Sequence, residues 1–217
     1  MLKLLIKKET NQILKNKYVY LSMIVCGLVI SILFSMILNN NASTFIVAGL
    51  FWIMIFFVSS LGLYRSMESE IKMKAYYNLL LSPIDKGYIF ISKSIAFFIF
   101  LCLTEIILFP IFQLLVKVNF AYSNIFILSA LTINWTISTL GVIISMMSIQ
   151  TNLGETLIPM LLFPLLVPIL IAASNITNYT IQGLSYQYYS FWFLICITFS
   201  VLTTLLGFWF FKGILQE

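Results

Sequence analysis

The side chain with the most chemical potential in this sequence is Glu105, an acid near the middle of a long apolar run. Placing a carboxyl group there costs about 2.5–3.5 kcal/mol, so it is expected to face protein or a water-filled cavity rather than lipid. It could relay protons or contact a substrate. It could equally be a neutral acid hydrogen-bonded to Thr104, Thr132 or Asn134, and this is the interpretation that we favour.

The groups that most catalytic and metal sites require are missing. The 217 residues include no histidine, which excludes histidine-dependent catalysis, HExxH zinc sites and histidine ligation of heme iron by this chain. There is no GxxxxGK[ST] loop to bind ATP, and Asp85 is the sole aspartate, so an aspartyl dyad cannot form. The cysteines Cys26, Cys102 and Cys196 lack paired spacing and are expected to act as small apolar residues. We expect neither an enzyme nor a metal site.

Six long apolar runs must position the few polar groups. A helix needs about 20 mostly apolar residues to cross a hydrocarbon core of about 30 Å, and in lipid its backbone must satisfy its own hydrogen bonds. The sequence therefore predicts an all-α polytopic membrane protein, a single domain (residues 1–217) with six transmembrane helices. The runs are 18–38, 45–64, 94–116, 125–149, 157–173 and 189–211.

The basic residues indicate how these runs cross the membrane. Of the 12 Lys and Arg residues, all except Lys117 fall on one side once the runs are threaded through a bilayer. The positive-inside rule places that side in the cytoplasm, with both chain termini. We expect a multi-pass protein of the bacterial inner membrane, or of the mitochondrial inner membrane if the gene is organellar. The net charge of +5 is then explained by topology and contact with anionic lipid, not by nucleic acid.

Residues 1–17 are predicted to form an amphipathic helix in the cytoplasmic interface. Leu2, Leu5, Ile6, Ile13 and Leu14 make up much of one face, and five lysines point toward lipid head groups. The alternative is a tail that only sets topology.

Residues 65–93 form the one sizeable soluble segment, with a short tail at 212–217. Pairs four residues apart, Glu68 with Lys72 and Glu70 with Lys74, favour a helix, and Pro83 should end it. Its apolar face is exposed, which suits a partner subunit. The alternative is a helix that rests on lipid.

Two further runs carry unusual residues. The fourth run is rich in small and hydroxylated residues, which usually pack helices together, with a substrate path as the minority interpretation. These residues are Thr132, Asn134, Thr136, Ser138, Thr139, Gly141 and Ser145. In the fifth run Pro159, Pro164 and Pro168 are expected to bend or break the helix and make it a candidate moving element. Residues 174–188 are predicted to be a periplasmic loop.

Two passages resemble a known family. Leu79-Leu80-Leu81-Ser82-Pro83, followed after ten residues by Lys93, is similar to the cytoplasmic signature of cytochrome c maturation protein B, also called heme exporter protein B. Residues 161–172 resemble the proline-rich fifth span of that family, and Pro110 in the third span fits as well. The sequence departs from the family pattern in two loop regions. Lys74 lies where the family usually has a glycine, and residues 152–155 lie where it usually has a basic pair.

The resemblance implies a permease subunit of an ABC-type complex in cytochrome c biogenesis. Its partners would be an ATPase subunit, which binds ATP, and a heme-handling membrane subunit that releases heme to a periplasmic chaperone. Heme would be the substrate of the complex rather than a cofactor of this chain. Two copies are expected if paired ATPases each need a docking segment.

On this basis candidate residues fall into two groups. The predicted ATPase-docking residues are Glu68, Glu70, Leu79, Leu80, Leu81 and Pro83. The candidates for conformational change or a substrate path are Glu105, Pro110, Asn134, Pro159, Pro164 and Pro168. The alternative functions are a drug- or lipid-type ABC exporter permease and a scaffold that only assembles other membrane proteins.

Overall fold

The computed structural model describes residues 2–15, 17–38, 43–72, 85–118, 124–149 and 154–214. Nearly all of them are helical, and no strand occurs in these ranges. The helices are α1 (Leu2–Lys15), α2 (Lys17–Ile37), α3 (Thr44–Lys72), α4 (Lys86–Val116), α5 (Asn124–Ile149), α6 (Gly154–Ile181) and α7 (Tyr186–Ile214).

Helices α2 to α7 match the six predicted spans. Within the described ranges, these 6 helices are long and apolar enough to cross a membrane. The prediction of an all-α polytopic membrane protein is therefore confirmed.

Two spans continue into the segment predicted to be cytoplasmic. Helix α3 runs without interruption to Lys72, because residues 65–72 contain neither proline nor glycine. Helix α4 starts at Lys86, where the Asp85 carboxylate accepts a hydrogen bond of 3.0 Å from the Gly87 amide and caps the helix. The first part of the predicted separate helix is thus an extension of α3. The second span ends at Ser66, and α3 continues beyond it to Lys72.

Helix α6 is longer than the apolar run and is not broken by its prolines. It extends through residues 174–181, which were predicted to be loop. These polar residues stay helical because α3 buries them: the Trp52 indole N–H donates to Thr177 Oγ1 at 2.9 Å. The helix ends at Ile181. Gly183, two residues later, has a left-handed φ of 67°, and the Leu184 amide donates back to the Tyr179 carbonyl at 3.1 Å.

Helix α5 lies at the centre of the bundle and contacts α3, α4, α6 and α7. Helices α3 and α5 are the most buried spans, whereas α2 and α7 are the least buried. Gly141 of α5 lets the Leu63 side chain of α3 pack directly against the α5 backbone, because a Cβ atom there would displace Leu63 Cδ1.

The polar residues of α5 serve largely in helix packing, as predicted. Thr139 Oγ1 lies 3.0 Å from Thr203 Oγ1 of α7, and the Trp135 indole N–H donates to Thr204 Oγ1 at 2.9 Å. Both contacts join α5 to α7 inside the bundle, where each polar group needs a protein partner.

Helix α1 packs against α4. Leu5 is buried, and Lys93 Nζ, in the first third of α4, lies 3.3 Å from Glu9 Oε2 with both side chains almost fully buried. Helix α1 is therefore held against protein, and its place in the cytoplasmic interface stays a prediction. Glu9 has a structural role that its charge alone did not indicate.

Breaking this ion pair from one side should destabilise the bundle. In Lys93→Met the Glu9 carboxylate loses a cationic partner in a buried position, and the free energy of unfolding should fall by about 3–5 kcal/mol. Thermal unfolding of the detergent-solubilised protein measures this change. The double variant Glu9→Leu/Lys93→Met should recover most of the loss.

The matched control is Lys7→Met, the same substitution at an exposed lysine of α1. The Lys7→Met variant should unfold at the same temperature as the native chain. Equal unfolding temperatures for Lys93→Met and the native chain would contradict a stabilising role for the pair.

Candidate functional site

The intramembrane acid is hydrogen-bonded to the neighbouring span. Glu105 of α4 is 8% exposed and Asn134 of α5 is 1% exposed. Asn134 Nδ2 donates to Glu105 Oε2, which confirms the prediction of a hydrogen-bonded acid and selects Asn134 from the three candidates. Thr104 and Thr132 instead donate to carbonyls of their own helices, at 2.6 Å and 2.8 Å.

This pair lies in a recess between α4 and α5 with a volume of about 210 Å³. The recess opens on the outside of the chain, since Ile106, Ile127 and Leu131 at its edge are 68%, 51% and 41% exposed. Its walls are apolar. The lining residues are Cys102, Glu105, Ile106, Phe109, Phe126, Ile127, Ala130, Leu131 and Asn134.

The two polar residues lie at the same depth. Val116 ends α4 and Asn124 begins α5 on the same side of the membrane. At 1.5 Å per residue, Glu105 and Asn134 are both about 15 Å from these ends. That is about half of a 30 Å hydrocarbon core, so a bilayer whose boundary coincides with these helix ends would have the recess near its middle.

The amide oxygen of Asn134 is buried beneath the recess. Its Oδ1 atom has no hydrogen-bond partner among the described residues, while Nδ2 also lies 3.8 Å from Cys102 Sγ. Almost the whole surface of the recess is apolar, so a molecule in it would contact apolar side chains rather than this oxygen.

The four candidate prolines are not part of this site. Pro110 lies in α4 just beyond Glu105 and is exposed, as is Pro164 of α6, while Pro159 and Pro168 are partly exposed. None of the four lines the recess. Their conformational role stays a prediction.

The predicted docking residues lie mostly outside the described part of the chain. Glu68 is partly exposed near the end of α3. Glu70 belongs to the same helix, but its side chain is not among those that the structure describes. Leu79, Leu80, Leu81 and Pro83 lie outside the described residues altogether. Their docking role stays a prediction.

The recess itself was not foreseen from the sequence. Its walls are ordinary isoleucine, leucine and phenylalanine residues that any span contains. One signal could have paired its polar residues, because Glu105 and Asn134 are about equally far from the connection between two consecutive spans. Antiparallel neighbours bring such positions to the same level.

Removing the Asn134 side-chain amide should lower the free energy of unfolding. In Asn134→Leu the Glu105 carboxyl group loses the donor that it contacts in a buried position, so the free energy of unfolding should fall by about 1–3 kcal/mol. Glu105→Gln keeps an acceptor at the same place and should be close to neutral. Thermal unfolding in detergent compares the two, and a greater loss for Glu105→Gln than for Asn134→Leu would contradict this account.

Comparison with known proteins assigns the chain to a protein family. A family model described as CcmB protein matches residues 1–213. Heme exporter protein B of Pseudomonas aeruginosa is 24% identical over 144 residues, which cover 66% of this chain and 65% of the relative. The chain thus matches just under two thirds of that relative's length. Because the family match takes in all six spans, the chain belongs to the CcmB family.

Proposed function

We propose that this chain is the permease subunit of an ABC-type complex that exports heme, or releases it to a periplasmic chaperone, for cytochrome c maturation. The observation that carries the proposal is the family match over residues 1–213, together with a relative named as a heme exporter. The bacterial inner membrane, with both termini in the cytoplasm, is the proposed location.

ATP hydrolysis has to come from a partner chain, because this sequence has no P-loop. The proposed docking segment, residues 65–93, begins within α3 and ends within α4, since α3 ends at Lys72 and α4 begins at Lys86. A push on the segment would act on both helices at once. A pair of ATPases would then require two copies of this chain, each with its own segment.

The packing of α3 supports transmission of such a push across the membrane. This helix is 29 residues long and contacts α6 near the opposite end through the Trp52–Thr177 hydrogen bond. Tightly packed helices respond to force as rigid bodies that tilt or shift. Closure of the ATPases is therefore proposed to tilt α3 and α4 together with the spans that they contact.

The absence of histidine bears on how heme is handled. A histidine ligand to the iron has to come from another subunit, because this chain has none. The chain is accordingly proposed to act as a mechanical transducer, working beside a membrane subunit that holds the heme.

Deleting the gene should remove c-type cytochromes. Heme-stained gels of the deletion strain are expected to lose all c-type cytochromes while b-type cytochromes persist, because only covalent heme attachment depends on the exported heme. A plasmid copy of the gene should restore them. Unchanged c-type cytochromes would refute the maturation role and favour a general exporter.

Disrupting the docking segment should release the ATPase. Leu80→Asp places a charge where an apolar contact is proposed, so the ATPase should no longer co-purify with the detergent-solubilised chain. The matched control is Leu184→Asp, the same change in the α6–α7 connection on the opposite side of the membrane. Retention of the ATPase by Leu80→Asp would show that docking occurs elsewhere.

A further inference from the structure

Helix α1 has one side that packs against protein and one that is exposed and basic. Leu5 and Glu9 are buried on the first side, where Glu9 pairs with Lys93 of α4. The other side holds exposed residues that a helix brings together because they are three or four positions apart. These residues are Lys3, Leu4, Lys7, Lys8 and Asn11. We call Lys3, Lys7 and Lys8, with Leu4 between them, the basic face of α1.

The positive charge of the basic face is not neutralised by the acid on the same helix. Glu9 is the sole acidic residue before Glu68, and its carboxylate is turned inward, 3% exposed and 3.3 Å from the Lys93 ammonium group. Among the side chains that the structure describes, no acid pairs with the three lysines of the basic face. The basic face therefore presents three positive charges within about two helical turns.

The basic face lies near one end of the spans. Helices α2 and α4 are separated by one span, so they begin on the same side of the membrane. At 1.5 Å per residue, Lys93 is about 35 Å from the end of α4 at Val116, and Lys17 is about 30 Å from the end of α2 at Ile37. A hydrocarbon core of about 30 Å that starts at those ends would finish just short of Lys93. In such a bilayer α1, which pairs with Lys93, is at the level of the lipid head groups.

We propose that the basic face of α1 is a binding site for the phosphate groups of anionic phospholipids. Three clustered cations complement a negatively charged membrane surface. Leu4 is 74% exposed among them, and a lipid surface offers hydrocarbon to this side chain and phosphate to its neighbours, whereas an acidic protein surface would leave the leucine against charge. Tyr18, 82% exposed at the start of α2, is typical of the same interfacial level.

This mode of lipid contact differs from the one that the amphipathic pattern of α1 predicts. An amphipathic helix usually binds a membrane by burying its apolar face among the acyl chains. Here Leu5 of that face is buried in the protein, so charge supplies the attraction to lipid. Because the Glu9–Lys93 pair joins α1 to α4, a lipid on the basic face is attached to the folded bundle. The site extends beyond the heme proposal, since it involves neither heme nor an ATPase.

The test is native mass spectrometry of the full chain in detergent, titrated with phosphatidylglycerol or with phosphatidylcholine. The native chain should bind the first phosphatidylglycerol more tightly than the first phosphatidylcholine, and the preference should weaken as ionic strength rises. A lysine near an anionic surface contributes about a five-fold preference. The triple variant Lys3→Gln/Lys7→Gln/Lys8→Gln should therefore lower the preference at least about 5-fold.

Two further comparisons separate a binding site from net charge and from folding. The triple variant Lys3→Arg/Lys7→Arg/Lys8→Arg keeps the three charges and should keep the preference. The matched pair is Lys7→Gln and Lys117→Gln, which remove one exposed cation each, from the basic face and from the far end of α4. Lys7→Gln should weaken binding of the first phosphatidylglycerol about 5-fold, and Lys117→Gln should leave it unchanged.

The lipid site is overturned if the native chain binds the two lipids equally, or if the glutamine triple variant keeps the preference. Loss of the preference in the arginine triple variant, or equal effects of Lys7→Gln and Lys117→Gln, would overturn it as well. None of these measurements involves heme. Unchanged c-type cytochromes in the deletion strain would therefore remove the heme role and leave the lipid site in place.

Photo-cross-linking in native membranes distinguishes lipid from a protein partner. A p-benzoylphenylalanine residue in place of Leu4 lies within the basic face, and it should link to phospholipid. A link to another subunit or to a second copy of this chain would show that protein covers the basic face, and would overturn the lipid site.

Discussion

The absence of water from the bilayer interior is the constraint on which this structure depends. Each polar side chain in a span must find a partner within the protein, because an unsatisfied group in hydrocarbon is costly. Most hydroxyl groups here donate to a carbonyl one turn earlier in their own helix, as Ser31 does to Gly27 at 2.6 Å. Others join two helices, as Thr139 and Thr203 do. Among the described residues, two buried side-chain oxygens, Ser94 Oγ and Asn134 Oδ1, depart from this pattern.

Helix α4 connects the three features that bear on function. Its first residue follows the proposed docking residues, Lys93 joins it to α1, and Glu105 joins it to α5. Each contact involves a buried polar or charged pair, so displacement of α4 along its axis would strain both unless the neighbouring helices move with it. Movement of the docking segment is therefore expected to reach α1 and α5 together.

Hydropathy was sufficient to predict the spans, since lipid imposes both length and composition on a crossing helix. A hydrogen-bonded Glu105 was predictable because a lone acid within a span has few polar partners to choose from, but the choice of Asn134 over Thr104 and Thr132 came from the structure. The length of α6 and the ion pair of Glu9 were not predictable. Both depend on which helix lies beside which, and neither apolar periodicity nor charge contains that information. The Trp52 indole keeps polar Thr177 in a helix, although composition alone indicated a loop.

The position of Pro110 gives α4 two different halves. Between Lys86 and Ile106 the helix retains its backbone hydrogen-bonding capacity, whereas Pro110 removes one donor directly beside the recess. A helix lacking one bond bends more readily at that level than elsewhere. A push delivered at Lys86, beside the proposed docking residues, would thus travel along the intact half and deform α4 at the level of the recess. The Glu105–Asn134 contact lies within two turns of Pro110, so the compliant point of α4 is close to the place where α4 is joined to α5.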